Sequence, residues 1–112
     1  MTQYTVSDYA SMDGANLSDA GKRRVLTAFK QTDYDVIAHV PEWLAEDKEL
    51  VNLKGARNLY PGTSIVAESE KGLCIDNADE EVWLPKSQIE WFRRGDDINP
   101  ETPQRGIEDY AP

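Results

Sequence analysis

Residues 71–85 read KGLCIDNADEEVWLP, and this stretch is typical of a β-hairpin. Short apolar runs lie on both sides of a polar centre, as in two strands joined by a turn. We therefore predict strands over Lys71–Asp76 and Glu81–Leu84, with a connection over Asn77–Glu80 whose length suits a hairpin. Pro85 should end the second strand, because proline donates no hydrogen bond to a ladder.

Short strands separated by glycine, proline and asparagine extend this pattern over the C-terminal half of the chain. We predict strands near Val51–Leu59 and Thr63–Glu68, a tight turn at Lys86–Gln88, and a last strand within residues 89–93. Strands this short and closely connected are typical of a small barrel or a strongly bent sheet. Residues 51–94 are therefore expected to form a small antiparallel β-barrel or bent sheet.

The N-terminal half, residues 17–50, is expected to be mainly helical. Ser18 is a good N-cap, and apolar residues follow it at helical spacing, which predicts a helix over about Asp19–Gln31. Proline suits the first turn of a helix, so a second helix is predicted over about Pro41–Leu50. Residues 33–40 between the helices fit either a strand or a helix, because short apolar runs match both periods.

Both ends of the chain contain few large apolar side chains. Residues 1–16 are predicted to form a loosely docked arm with one short strand at Tyr4–Val6, and residues 95–112 a flexible acidic tail. Residues 1–94 are expected to form a single α+β domain. In this domain the helical N-terminal half packs on the small β-barrel or bent sheet.

The composition indicates a small, acidic, cytoplasmic protein. The 112 residues fit one domain, and 21 acidic against 12 basic residues leave a net charge of −9. No apolar run approaches the roughly 20 residues that span a membrane, and the N-terminus lacks the pattern of a secretory signal. The lone Cys74 cannot form an intramolecular disulfide, which favours a reducing compartment.

Few residues of this chain suit catalysis or metal binding. His39 is the only histidine and Cys74 the only cysteine, whereas a structural zinc site needs a full set of such ligands. Cys74 lies within an apolar run, which is typical of a core thiol rather than a nucleophile. We therefore expect neither an enzyme nor a cofactor or metal site.

Acidic residues gather in two places that suggest a partner-binding surface. Carboxylates at regular spacing can imitate a nucleic-acid backbone and occupy a basic groove. The same charges also fit a surface that only maintains solubility. The candidates at the hairpin tip are Asp76, Asp79, Glu80 and Glu81, and those on the second helix are Glu42, Glu46 and Glu49.

Aromatic side chains supply further candidates. In the predicted strand Val82 and Leu84 share one face, so Trp83 points to the other face, where it either contacts a ligand or is covered by the helices. A cluster of aromatic and basic residues follows, which could stack on bases and bind phosphates, although such aromatics also close barrels. Trp83 and Trp91 are the aromatic candidates for partner binding. The cluster comprises Lys86, Trp91, Phe92, Arg93 and Arg94.

Two segments of the C-terminal half resemble a pattern of small phage and mobile-element proteins. The segments are EKGLCI at residues 70–75 and EVWLPKSQI at residues 81–89. The pattern has two parts separated by a gap. The first is E-K followed by four further residues, and the second is W-x-P-K-S-Q-I. The resemblance extends over about residues 51–92, with Gly72 where the pattern usually has alanine. It implies a phage or mobile-element origin and a small SH3-like or OB-like antiparallel β-barrel, and it marks a fold rather than an activity.

These observations lead to one hypothesis and two alternatives. The hypothesis is a phage or mobile-element interaction protein of anti-CRISPR or anti-restriction type. It would inhibit a host protein or ribonucleoprotein complex in the host-cell cytoplasm by occupying the basic groove where that complex binds nucleic acid. Direct nucleic-acid binding is less expected, since a net charge of −9 repels phosphates, and no membrane partner is expected. The alternatives are a single-stranded nucleic-acid-binding small β-barrel of phage replication and a structural subunit that forms homo-oligomers through sheet edges.

Overall fold

The part of the chain that the structure describes, residues 2–96 and residue 98 of a computed structural model, contains two β-sheets and two α-helices. In chain order the elements are β1 (Thr2–Val6), α1 (Asp19–Gln31), β2 (Val36–His39), α2 (Glu42–Asp47), β3 (Leu59–Gly62), β4 (Ile65–Glu68), β5 (Gly72–Asn77), β6 (Glu80–Pro85) and β7 (Glu90–Arg94). Sheet A has the strand order β1-β7-β2-β3, and sheet B has the order β4-β5-β6. The predicted α+β class is therefore confirmed.

The hairpin predicted within residues 71–85 is confirmed as β5 and β6. Its connection is tighter than predicted, since only Ala78 and Asp79 separate the two strands. These two residues have positive φ angles of 52° and 70°, as the type I′ turn of a two-residue hairpin requires. The tight turn predicted at Lys86–Gln88 is confirmed as a short 3-10 helix.

Strand β7 lies in the interior of sheet A, where it pairs with β1 in parallel and with β2 in antiparallel orientation. The predicted last strand is thus confirmed, but its neighbours are the two N-terminal strands. The prediction of a loosely docked N-terminal arm is wrong, because β1 pairs along the whole of β7. Val6 and Met12 are buried, so this segment contributes to the core.

Helix α1 begins and ends at the predicted residues, and the Ser18 hydroxyl caps it by accepting a hydrogen bond from the Gly21 amide at 3.1 Å. Helix α2 is shorter than predicted, because the chain turns at Glu49, which has a left-handed φ of 55°. Residues 36–39 form strand β2. The prediction of a mainly helical N-terminal half is therefore not supported, since β2 lies between the two helices of residues 17–50 and α2 has only six residues.

The strands do not close into a barrel. Within the described residues they form two separate sheets, and the strand predicted at Val51–Leu59 is wrong except for its last residue. Residues 51–58 contain turns instead, in which Gly55 and Asn58 have φ angles of 78° and 69°. Such positive angles interrupt an extended ladder. The SH3-like or OB-like barrel is thus replaced by two sheets that share a core.

Sheet A lies between two hydrophobic clusters, one on each face. On one face Ile37 and Phe92 pack with Phe29 of α1. On the other face Val36 and Trp91 pack with apolar residues of sheet B and α2. Neighbouring residues of β2 and β7 alternate between the clusters, as the pleat of a strand requires. The layers therefore run from α1 through sheet A to sheet B with α2.

The packed chain continues beyond the predicted boundary at residue 94. The Gly95 amide donates a hydrogen bond of 2.8 Å to the Val6 carbonyl. Ile98 is only 6% exposed and packs in the cluster beside α1. The prediction that the flexible tail starts at residue 95 is wrong for these two residues. Asp96 between them is exposed, and residues 97 and 99–112 of the predicted tail lie outside the described residues.

The two sheets approach each other closely at Gly62, where the chain leaves β3. A Cβ atom on Gly62 would lie 2.7 Å from Cγ1 of Val36 in sheet A and 3.1 Å from Cβ of Ile75 in sheet B. The first distance is shorter than any ordinary carbon–carbon contact. The absence of a side chain at residue 62 therefore permits the spacing of the two sheets.

Replacing Gly62 by alanine should lower the free energy of unfolding by about 1–3 kcal/mol, because the added methyl group overpacks the core between Val36 and Ile75. Urea denaturation followed by circular dichroism measures this loss. The matched control is Gly21→Ala in α1, whose added methyl group would lie 3.4 Å from the side chains of Leu17 and Ser18, an ordinary contact distance. Since alanine favours helix over glycine, the control should retain or gain stability. Equal losses in the two variants would contradict the proposed close approach.

Candidate functional site

The outer face of the β5–β6 hairpin carries three of the predicted site residues. In the register of these strands Asp76 lies opposite Glu81, and Cys74 lies opposite Trp83. Directly opposed residues project from the same face of a sheet. Trp83 is 49% exposed, whereas Leu84 faces the core and is 1% exposed, so the predicted orientation of the strand is confirmed. We call Asp76, Glu81 and Trp83 the hairpin face.

The indole of Trp83 lies across Gly72 on the neighbouring strand. A Cβ atom at Gly72 would lie 3.0 Å from Cε3 of Trp83, so an alanine at this position would displace the ring. A groove of about 500 Å³ lies beside the indole and is also lined by Leu44 and Asp47 of α2 and by Lys48 and Lys71. Half of the Trp83 side chain remains accessible to a partner.

Two like charges oppose each other on the hairpin face. Carboxylates in directly opposed positions, such as Asp76 and Glu81, destabilise a strand pair unless a cation offsets them. Neither carboxylate forms an ion pair with any described residue, and Oδ1 of Asp76 is buried without a hydrogen-bond partner. Burial raises the pKa of the neighbouring Cys74 thiol, and the charges of Glu81 and Asp76 raise it further. The prediction of a buried core thiol at Cys74 is confirmed.

The tip of the hairpin is tied to the rest of the fold by Asn77, which is 3% exposed. Its Oδ1 accepts a hydrogen bond from the Val51 amide, and its Nδ2 donates to the carbonyls of Val51 and Pro61, each at 2.9 Å. Asn77 therefore joins the end of β5 to the segment after α2 and to β3. The exposed acidic residues Asp79 and Glu80 follow directly in the turn and in β6.

The acidic residues of the second helix lie close to this tip along the chain. Glu42, Glu46 and Glu49 are all exposed, and Glu49 is two residues before Val51, whose backbone Asn77 binds. The Glu42 carboxylate lies 3.6 Å from the Arg57 guanidinium in an exposed pair. Of the two predicted acidic groups, Asn77 thus brings the segment that directly follows Glu49 to the hairpin tip.

The predicted aromatic–basic cluster is not a surface. Trp91 is 3% exposed, and its Nε1 donates a hydrogen bond of 3.1 Å to Oε1 of Gln3. Phe92 is fully buried and stacks on Tyr4 with a centroid distance of 5.2 Å. Both belong to β7, which has a hydrophobic cluster on each side. The prediction that Trp91 contacts a partner is therefore wrong.

The basic members of that cluster have internal partners with one exception. Nζ of Lys86 lies 2.6 Å from Oε2 of Glu68 and 5.6 Å from the centre of the Trp91 ring. The Arg94 guanidinium caps the C-terminal end of α1, and burial lowers its pKa. Arg93 is exposed. The carbonyls that accept hydrogen bonds from Arg94 are those of Phe29, Thr32 and Tyr34.

A second polar cluster, which the sequence analysis missed, surrounds the Glu90 carboxylate. Both of its oxygens accept a hydrogen bond from the Asn16 amide at 3.1 Å, and Oε1 lies 3.3 Å from Nδ1 of His39. Partial burial raises the pKa of the Tyr4 hydroxyl, and the charge of Glu90 raises it further. The cluster ties the loop before α1 to β7, β2 and β1. No local sequence signal pairs residues so far apart in the chain.

Comparisons of the chain with protein-family models, with curated proteins and with solved structures give no match. Among residues 2–96 and 98, no three or more histidine, cysteine, aspartate or glutamate side chains are grouped so that they could hold a metal ion. No helix of this part of the chain has the length and apolar character needed to cross a membrane. The candidate site is therefore argued from its own geometry.

Replacing Asn77 by alanine should lower the free energy of unfolding by about 2–4 kcal/mol, because it removes hydrogen bonds from the buried Pro61 carbonyl and from the partly buried N–H and C=O of Val51. Asn52→Ala is the matched control, since Asn52 is exposed and its side chain donates only to nearby carbonyls at 2.8 and 3.4 Å. The control should lose less than about 1 kcal/mol. Urea denaturation measures both values, and similar losses would show that Asn77 does not join these segments.

Proposed function

We propose that this protein is a phage or mobile-element interaction protein that inhibits a host nucleic-acid-binding defence complex by occupying its basic groove. One observation carries the proposal: Asn77 holds the acidic hairpin tip beside the segment that leaves the acidic helix α2. A rigidly presented set of charges loses little conformational entropy when it binds. The hydrogen bonds of Asn77 support this proposal by attaching the acidic hairpin tip to the segment that follows α2.

The charge of the protein supports a basic partner. The chain carries a net charge of −9, and the side chains of Asp79, Glu80 and Glu81 are exposed on the hairpin. A surface of one sign steers a partner of opposite sign and increases the association rate, and salt screens this effect. A groove that binds nucleic acid presents lysine and arginine side chains. Such a groove is complementary to this surface.

The assignment to phage or mobile elements rests on the resemblance of residues 70–75 and 81–89 to proteins of that origin. Within that group, inhibitors of anti-CRISPR or anti-restriction type match the small size and the negative charge. The partner would be a host protein or ribonucleoprotein complex in the host-cell cytoplasm. The protein would act by stoichiometric binding and not as an enzyme.

The alternative function, binding of single-stranded nucleic acid, has less support from the geometry. A stacking platform needs exposed aromatic rings beside free cations. Trp91 and Phe92 are buried, and Arg94 binds backbone carbonyls. Trp83 is exposed, and the groove beside it is lined by Lys48 and Lys71 as well as Asp47, but these residues are not part of the predicted aromatic–basic cluster. The remaining free cation of the predicted cluster is Arg93.

Reversing Asp79, Glu80 and Glu81 to lysine should abolish inhibition without unfolding the protein, because the three residues are exposed. The assay is the efficiency of plating of a phage that an RNA-guided nuclease or a restriction enzyme targets, with each variant expressed in the host. Displacement of labelled DNA from the purified defence complex provides the same test in solution, and it should weaken as salt rises. Circular dichroism and Tm verify that the fold is retained.

The second variant reverses Glu42, Glu46 and Glu49 and so makes the same change in charge on α2 and the turn that follows it. We expect this variant to inhibit more weakly than wild type but more strongly than the hairpin variant. Full inhibition by both variants, or inhibition that salt does not affect, would contradict the proposal.

The unmodified protein should not shift labelled single-stranded DNA or RNA in a native gel at low salt, because its net charge of −9 opposes binding to phosphates. Low salt is the most permissive condition, since screening is weakest there. Arg93→Glu is the matching variant, because Arg93 is the exposed cation of the predicted cluster. A clear shift that Arg93→Glu removes would support the nucleic-acid-binding alternative instead.

A further inference from the structure

A cavity of about 410 Å³ is lined by the first turns of α1 and by the loop that precedes β3. Its ionisable lining residues are Arg24 of α1, His39 at the end of β2 and Arg57 of the loop, and no acidic residue of the described chain lines it. This lining runs against a composition of 21 acidic and 12 basic residues. The cavity, which we call the arginine cavity, is therefore a locally positive region of an acidic protein.

Arg24 lies in the wall of the arginine cavity without a carboxylate partner. Its Nη2 donates a hydrogen bond to the Lys54 carbonyl, and a Cβ atom on Gly55 would lie 3.6 Å from the same nitrogen. The side chain is partly buried, and it forms no ion pair with any described residue. Charges that leave water are normally paired. The bond to Lys54 uses one of several N–H donors of the guanidinium, so the others can bind an anion.

The second arginine of the cavity is held only by a surface contact. Nη2 of Arg57 lies 3.6 Å from Oε2 of Glu42, and both side chains are largely exposed. An exposed ion pair contributes little to stability, so the guanidinium can exchange Glu42 for a ligand at low cost. Ser18 and Gly21 line the same cavity, and the backbone N–H groups at the start of α1 add a partial positive charge to that of the two arginines.

The lining matches the chemistry of a phosphomonoester. At pH 7 this group carries a charge of about −1.5 to −2 and several strong acceptor oxygens, which suit two guanidinium groups. The volume lies within the range of about 300–1,000 Å³ that is typical of small-molecule sites. No aromatic residue of the described chain lines the cavity, whereas Asn16 and Asn58 do. Their amides suit the hydroxyl groups of a sugar better than the face of a nucleobase.

We propose that the arginine cavity binds a small phosphomonoester, with the phosphate on Arg24 and Arg57 and the hydroxyl groups of a sugar on Asn16 and Asn58. This site goes beyond the proposed function, because it uses none of the acidic residues of the hairpin tip or of α2. It also differs from binding of single-stranded nucleic acid. Each phosphate within such a strand brings further phosphates close to a protein with a net charge of −9.

The ligand class is tested by isothermal titration calorimetry of the full chain with ribose 5-phosphate at physiological salt. Salt screens the repulsion between the anion and the acidic surface more than it screens contacts inside a cavity. We expect ribose 5-phosphate to bind at least about tenfold more tightly than unphosphorylated ribose, because ribose offers no anion to the arginines. Equal binding of the two, or no binding of ribose 5-phosphate, would overturn the proposal.

Inorganic phosphate and adenosine monophosphate distinguish the sources of the phosphate. If both sugar phosphates bind more tightly than inorganic phosphate, the sugar contact with Asn16 and Asn58 is supported. If inorganic phosphate binds as tightly as ribose 5-phosphate, the arginines bind free phosphate and the sugar contact is wrong. Adenosine monophosphate should bind no more tightly than ribose 5-phosphate, since the lining of the cavity offers no ring on which the base could stack. A large gain from the base would contradict the assigned lining.

The role of the arginines is tested with Arg24→Gln, Arg57→Gln and the matched control Arg23→Gln. Arg23 is the exposed neighbour of Arg24 on α1, and it does not line the cavity. Each of the first two variants should weaken binding of ribose 5-phosphate by about five- to twentyfold, and the control by less than about twofold. Similar losses in all three variants would indicate a general effect of charge and would overturn the specific contact.

The thermal stability of these variants separates loss of the ligand contact from loss of the fold. Arg24→Gln also removes the hydrogen bond to Lys54 and should lower Tm. Arg57→Gln is the decisive variant, because its exposed side chain has only the surface contact with Glu42, and its Tm should stay within about 2 °C of wild type. Ribose 5-phosphate should raise the Tm of wild type and not that of Arg57→Gln. A folded Arg57→Gln protein that binds as tightly as wild type would overturn the proposal.

Discussion

The hydrogen bonds of Asn77 join sheet B to sheet A at Pro61 and attach the acidic hairpin tip to the segment after α2. Asn77 is the only buried polar or charged residue in the part of the chain that the structure describes. A side-chain amide suits this place, because it donates and accepts at once and so satisfies both the N–H and the C=O of Val51. An aspartate would place a second acceptor against the carbonyls of Val51 and Pro61. Sheet B is thereby fixed to sheet A without the continuous ladder that a barrel would need.

Features encoded by neighbouring residues could be predicted, and features that depend on distant pairings could not. The Ser18 cap determines where α1 starts, and the polar centre of residues 71–85 indicates the hairpin. The place of β7 between β1 and β2 has no such local signal, since it brings together segments from opposite ends of the described chain. The barrel prediction was wrong for a related reason: closely spaced strands imply short connections, but they do not determine which strand edges pair.

In the candidate site, too, features encoded by neighbouring residues could be predicted, and features that depend on distant pairings could not. The alternation of residues in β6 placed Trp83 on the outside correctly, because Leu84 next to it had to enter the core. The same reasoning was insufficient for Trp91, because β7 is covered on both sides and neither of its faces is a surface. Charge identified the acidic residues from composition alone. The contact between the hairpin tip and the segment after α2 depends on Asn77, which no local pattern identifies. The contact of His39 with Glu90 depends on how β2 and β7 pair.

The strand order of sheet A also constrains how this protein folds during its synthesis. Strand β1 precedes the other described strands in the chain, but its partner in the sheet is β7, so it has no neighbour until residues 90–94 have left the ribosome. The β5–β6 hairpin needs only residues close to it in the chain and can form earlier. Until β7 is made, a nascent chain therefore carries an unpaired β1 whose edge is open to other newly made chains. Sheet A is completed only when β7 inserts between β1 and β2.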